Sequence, residues 1–394
     1  MERAEFLQLI IDAFKVVPIT AILGPRQCGK TTLAKEYAKQ QSIPAVNYFD
    51  LEDPVDRDRL IPNPKLALES LKGLIVIDEI HYAPEIFQLL RVLVDNHKDQ
   101  QYLILGSASQ DLINQSSETL AGRISFIEIT PFNLTETQES AHLWIKGGFP
   151  RSYLAQNDEQ SFFWRKNFIR TFLERDIREL GIRLPPENLR RFWMMLAHYH
   201  GNYFNASEIG RSLGLTNKTI RHYLDILVGT FMIRELKPWF KNISKRQIKT
   251  PKIYFRDSGV LHALLGVNNQ SDLLTHPKLG ASWEGFALEE ILRFHQVEPQ
   301  DCYFWGMQQK AELDLFVNRN GMKVGFEFKY ADAPRMTPSM QAAYSFLDLD
   351  ALVVIYPGNK SYPLAIQTSE EKHKMIYVCG LEEYILNPPF YIKI

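Results

Sequence analysis

The chain has 394 residues, 45% of them apolar and 23% charged, and a formal net charge of −1. That length gives two or three domains with ample core, and that balance excludes a disordered chain or a global electrostatic attraction to nucleic acid. Cys28, Cys302 and Cys379 are too few and too scattered for a disulfide framework or a zinc site, which predicts a reducing, cytoplasmic setting. Met1-Glu2-Arg3-Ala4-Glu5 lacks the basic and apolar pattern of a leader. No uninterrupted apolar run reaches about 18 residues, so no membrane span is expected.

Phe6, Leu7, Ile10, Ile11 and Phe14 repeat at helical spacing and predict an amphipathic first helix. An apolar run ending Ala21-Ile22-Leu23 then leads into Gly24-Pro25-Arg26-Gln27-Cys28-Gly29-Lys30-Thr31-Thr32, which matches G-x-x-x-x-G-K-[ST]. Between a strand and a helix this spelling predicts a loop whose backbone N–H groups wrap a polyphosphate. Gly24 and Gly29 supply turns that a side chain would obstruct, Lys30 is expected to reach the β- and γ-phosphates, and Thr31 to ligand Mg²⁺. Cys28 is either an oxidisable thiol in this loop or a tolerated loop residue.

Strand-like runs follow at Ala45 to Phe49, Leu74 to Ile77, Tyr102 to Leu105 and Ile124 to Ile129, alternating with helical ones, which argues a parallel sheet with flanking helices. Leu74-Ile75-Val76-Ile77-Asp78-Glu79 reads as a second nucleotide element, with Asp78 holding Mg²⁺ and Glu79 polarising the attacking water. The adjacent carboxylates and the lack of an Asn-Lys-x-Asp guanine motif favour ATP hydrolysis over GTP switching. At the next strand tip Ser107, with Ser109 in reserve, is placed to sense the γ-phosphate. Arg123 reads equally as a transition-state cation, in cis or in trans, and as a surface arginine.

Gly24 to Thr32, Leu74 to Glu79, Gly106-Ser107 and Leu120-Ala121-Gly122-Arg123 together resemble the AAA-type ATPases of bacteria and archaea. Phe172-Leu173-Glu174-Arg175-Asp176 and Ser282-Trp283-Glu284-Gly285-Phe286 narrow the resemblance to the family in which that domain is joined to a long C-terminal domain of unknown function. The resemblance implies ATP and Mg²⁺ as cofactors, and it leaves a homo-oligomer open because AAA-type relatives often form rings.

Gly147-Gly148-Phe149-Pro150 marks an expected boundary. Arg151 to Leu180 reads as helical, and Pro185-Pro186 starts another helix. Asn205 to Leu227 has the pattern of a helix-turn-helix, with Gly214 in the turn and Thr216 as N-cap. Phe231 to Leu236 would begin a winged hairpin. Asn217, Lys218, Arg221 and His222 are chemically suited to a DNA major groove. Arg234 to Arg256 carries eight Lys/Arg, including Lys245 and Arg246, against the single acid Glu235, a net +7. That stretch reads as a phosphate-contacting wing; the other reading is a protein-docking module or a lid.

In the last third, Glu284 opens a helical run, and Ala311 to Val317 and Lys323 to Lys329 form a strand pair around Asn318-Arg319-Asn320-Gly321. Glu327 and Lys329, two apart on one strand, share a face. A helix Glu284, a strand Asp314 and the Glu327-x-Lys329 pair resemble the PD-(D/E)xK nuclease core. That resemblance implies Mg²⁺ held by Asp314 and Glu327, water activation, and catalytic roles for Glu284 and Lys329.

The expected fold class is α/β: an N-terminal P-loop NTPase parallel sheet with flanking helices (1–146), a helical connector with a winged helix-turn-helix (147–260), and a C-terminal α/β nuclease-like domain (261–394). The expected function is Mg²⁺-dependent ATP hydrolysis coupled to DNA binding or processing. The alternative is an ATP-controlled protein-interaction switch with a catalytically silent nuclease-like domain.

Overall fold

The computed structural model describes residues 3–107, 119–179, 185–240, 248–307, 311–364, 375–388, 392 and 394. The chain divides into two compact units, residues 1–131 with 229–231, and residues 132–228 with 232–394.

Five parallel strands organise the first unit: β1 (Ile19–Gly24), β2 (Tyr48–Asp50), β3 (Gly73–Asp78), β4 (Gln100–Ser107) and β5 (Ile124–Glu128), in the order β2-β3-β4-β1-β5. Continuous apolar runs such as Leu74-Ile75-Val76-Ile77 suit strands covered on both faces, and all of β1 is buried. The helices Ala4–Phe14, Lys30–Gln40 and Ile86–Asn96 pack their apolar faces on this sheet, burying for instance Ile10, Leu33 and Leu90. The run from Ala45 is only partly a strand. Ala45–Asn47 form a 3₁₀ turn after Pro44, and the Asn47 amide donates to the carbonyls of Lys72 and Leu74, so pairing starts at Tyr48.

In the second unit Leu134, Leu143, Trp144 and Ile145 already join the core. The helical run from Arg151 is interrupted: Pro150–Tyr153 and Asp158–Thr171 are separate helices, the second capped by the Asn157 side chain. A π-helical turn over Phe172–Asp176 carries the Phe-Leu-Glu-Arg-Asp stretch. The helices Ala206–Leu213 and Asn217–Gly229 flank Gly214, which sits in the left-handed region at φ +68°, and the Thr216 hydroxyl accepts from the Thr219 N–H at 3.2 Å. An antiparallel pair follows, β6 (Ile233–Leu236) with β7 (Lys252–Phe255).

The rest of this unit is a six-stranded mixed sheet: β8 (Cys302–Met307), β9 (Ala311–Arg319), β10 (Met322–Phe328), β11 (Ala351–Tyr356), β12 (Tyr362–Pro363) and β13 (Met375–Gly380), in the order β12-β13-β11-β10-β9-β8. Asn320 and Gly321, both at positive φ, make the β9–β10 turn. Along β11, Ala351, Val353 and Ile355 face one core, and Leu352, Val354 and Tyr356 the other. The helix Leu279–Phe294 covers the first face through Trp283, Phe286, Ala287 and Ile291.

Candidate functional site

The loop from Gly24 to Gly29 leaves the C-terminal end of β1 and enters the helix Lys30–Gln40. A side chain at Gly24 would run into the carbonyl oxygen of Ile129, and φ there is +155°, so the chain needs glycine for its own packing as well as for any ligand. Gln27 takes φ +63° and Gly29 φ +101°, turning the backbone twice within three residues. Arg3, almost fully buried, ties this loop down: its guanidinium donates to the carbonyls of Cys28 (3.2 Å) and Thr130 (2.8 Å). The Lys30 ammonium donates to the loop carbonyls of Gly24 and Pro25, both at 2.9 Å. Burial pushes the Cys28 thiol above its usual range, which removes it from the reactive thiolates.

Asp78 ends β3, which is separated from β1 by β4. It is buried and pushed up to about 6, chiefly by loss of hydration. Its partners among the described residues are neutral: the Thr31 hydroxyl, the Tyr48 hydroxyl at 3.2 Å and the Glu79 N–H at 3.0 Å. A carboxylate held only by neutral donors among the described residues, beside a threonine at a helix start, fits a divalent cation. Glu79 sits in the left-handed region at φ +55°, a strained position for a non-glycine residue. Its carboxylate lies 3.1 Å from His81 Nδ1; burial pushes its pKa up, but His81 and Lys30 outweigh burial and hold it low. It is therefore an ionised carboxylate, the form that polarises water.

Ser107 ends β4 directly beside Gly24 in register, and Ser109 lies outside the described residues. Arg123 lies away from this loop. It precedes β5, and its carbonyl accepts from the Ile19 N–H at the opposite end of the sheet from Gly24. There its guanidinium grips Asp95 through two contacts of 2.8 and 3.0 Å. A reach of about 20 Å along a six-residue strand rules out an action in cis on this loop.

Three of the eight basic residues of the stretch Arg234 to Arg256 point inward: Arg234, Lys252 and Arg256. Arg234 and Arg256 pair with the buried Glu289, joined by Arg293. Burial alone would raise Glu289, yet the three arginines hold it at about 2. Arg221 is likewise engaged, bidentate to Glu235 at 2.6 and 2.7 Å and bonded to Asp225 at 2.9 Å. An arginine so held is not free to read a base edge. Asn217, Lys218 and His222 are exposed, Asn217 bonding Ser207, while Lys245 and Arg246 lie outside the described residues.

The four residues Glu284, Asp314, Glu327 and Lys329 do come together. The Phe328 N–H donates to Asp314 Oδ2 at 3.0 Å, the Asp314 N–H to Glu327 Oε2 at 3.4 Å, and Lys329 Nζ to Glu327 Oε1 at 2.6 Å. A fifth residue missed by the sequence reading enters from β7. Lys252, 3% exposed, places Nζ 3.4 Å from Glu284 and 3.8 Å from Asp314, and pairs with Glu312. Tyr254 donates to Glu284 at 2.6 Å and Tyr203 to Glu312 at 2.5 Å. Burial first, and Asp314 second, raise Glu284 to about 7 and Glu327 to about 8. A divalent ion about 4 Å from the Lys252 ammonium would be repelled by ~8 kcal/mol at an effective dielectric near 20. The residues present therefore do not fit a metal ion here. Among the described residues no group of three or more His, Cys, Asp or Glu is arranged to hold one.

The signals that could have revealed the missed residues are slight: a lysine opening the fully buried strand Lys252–Phe255, and a histidine two residues beyond Glu79. Among the described residues no helix is long and apolar enough to cross a membrane.

Residues 17–138 match the family described as AAA domain. Residues 137–271 and 279–377 match two families described as domains of unknown function, DUF8612 and DUF4143. The uncharacterized protein Rv2008c of Mycobacterium tuberculosis (strain ATCC 25618 / H37Rv) is 45% identical over 368 residues, 93% of this chain and 82% of that protein. The uncharacterized protein Mb2031c of Mycobacterium bovis (strain ATCC BAA-935 / AF2122/97) matches at the same identity and coverage. Among solved structures, the Walker-type ATPase PABY2304 of Pyrococcus abyssi is similar at a TM-score of 0.46 and 16% identity, over 67% of this chain and 95% of that one. The S. cerevisiae Hsp104–ADP complex is similar at 0.29 and 12%, over 75% and 44%. Neither likeness is close enough to carry a functional argument. The chain belongs to the family of the mycobacterial proteins Rv2008c and Mb2031c, with an AAA-type P-loop ATPase domain joined to two domains of unknown function.

Proposed function

We propose that the chain binds and hydrolyses ATP at the Gly24–Thr32 loop. The observation that carries this reading is the pairing of a movable lysine with an uncompensated acid: Lys30 rests on carbonyl oxygens, and Asp78 is held by hydroxyls. Lys30 exchanges its two carbonyls for β- and γ-phosphate oxygens, an anionic partner that binds an ammonium more strongly. The loop N–H groups and the start of the helix Lys30–Gln40 take the remaining phosphate oxygens. Thr31 and Asp78 would hold Mg²⁺, which neutralises phosphate charge when bound. Glu79 accepts a proton from the attacking water after leaving His81, and Ser107, whose backbone pairs in register with Gly24, would sense the γ-phosphate. Any role of Arg123 at a nucleotide is in trans, from a neighbouring copy in a homo-oligomer.

Steady-state phosphate release with and without assorted nucleic acids tests the reading. Lys30→Ala is expected to abolish binding and turnover; turnover at the wild-type rate in that variant would overturn the site assignment.

The second unit supports two couplings. Residues 147–260 read as a winged helix-turn-helix contacting DNA through Asn217, Lys218 and His222, with 261–394 as a nuclease-like fold. The second reading, an ATP-controlled protein-interaction switch with a catalytically silent nuclease-like domain, is favoured by the inward ion pairs of Arg234, Lys252 and Arg256 and by the surface pair of Arg221 with Glu235. Affinity for duplex DNA as a function of salt separates them: a DNA binder loses affinity steeply as salt rises, and a protein-docking surface need not.

A further inference from the structure

We propose that Lys252 is the resident cation of the C-terminal carboxylate cluster and closes it to divalent metal ions. The cluster is then an ion-pair lock that fastens the β6–β7 pair to the helix Leu279–Phe294 and to β9.

Four carboxylates converge here, Glu284 from that helix, Glu312 and Asp314 from β9, and Glu327 from β10. A lysine ammonium has three donors and no acceptor, and Lys252 faces three of these acids, Glu284, Glu312 and Asp314. The fourth, Glu327, is taken by Lys329. Their oxygens are committed further to neutral donors: Tyr254 on Glu284, Tyr203 on Glu312, the Phe328 N–H on Asp314 and the Asp314 N–H on Glu327. Metal coordination would have to displace these bonds as well as the ammonium.

Lys252 has no easy way out. Its backbone pairs with Leu236 across the hairpin and bridges to Tyr203, so main chain on both sides holds it in place. Its side chain is 4% exposed, and its tip lies 5.7 Å from the centre of the Phe304 ring. Withdrawing the ammonium would leave buried carboxylates uncompensated, which an interior does not tolerate. The lysine comes from β7, outside both the helix that carries Glu284 and the sheet that carries Asp314 and Glu327, so the fold that covers the cluster also supplies its charge.

The test is a titration of Mn²⁺ into the full chain without nucleotide, with free Mn²⁺ read by electron paramagnetic resonance. Wild type, Asp314→Asn, Lys252→Met and the double variant are compared, so that the Asp314 arms separate this cluster from any other Mn²⁺ site. Wild type and Asp314→Asn are expected to bind alike. Lys252→Met is expected to gain a Mn²⁺ site that wild type lacks, a rise in affinity of at least about tenfold once the like charge is removed, and adding Asp314→Asn removes it again. Wild-type binding that Asp314→Asn abolishes overturns the proposal, as does a folded Lys252→Met that gains no site. If Lys252→Met does not fold in metal-free buffer, it is refolded with Mn²⁺. Recovery of the wild-type circular dichroism spectrum supports the lock, and no recovery overturns it. ATP turnover enters none of these measurements, so their failure leaves the ATPase reading standing.

Discussion

Each unit buries a lysine close to acidic residues, and the two lysines are held in opposite ways. Lys30 rests on two backbone carbonyls, and the nearby Asp78 is satisfied by hydroxyls and an amide. Lys252 rests on carboxylates. A carbonyl gives an ammonium a modest hydrogen bond that a phosphate can outbid, and it leaves Asp78 able to take a cation. Carboxylates in a dry interior hold their lysine far more strongly, and its ammonium stands where a cation would otherwise bind. The same residue types thus make a site prepared for a charged ligand in one unit and a closed joint in the other.

The largest effect expected from this contrast is on turnover. Glu79→Gln should retain ATP binding while kcat falls about 10²- to 10⁴-fold, the usual contribution of a positioned general base. Equal turnover in the variant, measured as phosphate release, would break the reading of the first site. Next in size is stability. Lys252→Met should destabilise the chain by about 3–5 kcal/mol in metal-free buffer, because it strands buried carboxylates, whereas Lys30→Ala gives up two carbonyl bonds and should lose only about 1–2 kcal/mol. Denaturant unfolding of the two variants side by side checks this, and similar losses would erase the distinction.

A smaller effect is the pH dependence contributed by Glu290. Burial raises it to about 7, despite the Arg293 contact at 2.8 Å and the Leu134 N–H. The folded chain then binds this proton more tightly than the unfolded chain does. The contribution is therefore full below the unfolded value of 4.5 and is lost as pH rises towards about 7. Glu290→Gln should flatten the fall of unfolding free energy across that window by up to ~3 kcal/mol. Its neighbour Glu289, held at about 2, acts with the opposite sign and contributes stability above its unfolded value. The smallest effect concerns DNA. If the exposed helix face binds it, Lys218→Ala should weaken binding by about 1 kcal/mol and lower the salt slope by about one, while Arg221→Ala, already paired with Glu235, should change little. The reverse order, in a salt-dependent binding titration, would show that the Arg221 pair opens on binding.

Much of the first site was legible in the chain itself because it is local. The phosphate loop is nine consecutive residues between a strand and a helix, and Asp78-Glu79 close a run of apolar residues. The Asn320-Gly321 turn was legible for the same reason, since two positive φ values in sequence call for those residues. The two helices on either side of Gly214 and the Thr216 cap were legible in the same local way.

The direction of charge was not legible. Eight basic residues between Arg234 and Arg256 look like one positive surface when counted along the chain. The fold turns Arg234 and Arg256 onto Glu289, and Lys252 onto Glu284, Glu312 and Asp314, partners between 32 and 62 residues away. Arg123 was similarly undecidable until the register of β1 and β5 put it at the far end of the sheet. Spacing along the chain determined where backbone turns, capping residues and the phosphate loop must lie, because those depend on neighbours a few residues apart. Only the tertiary structure decided which charges meet, because an ion pair depends on a distance through space that sequence separation does not encode. For Lys252 that decision turned a four-residue nuclease pattern into a cluster that already holds its cation.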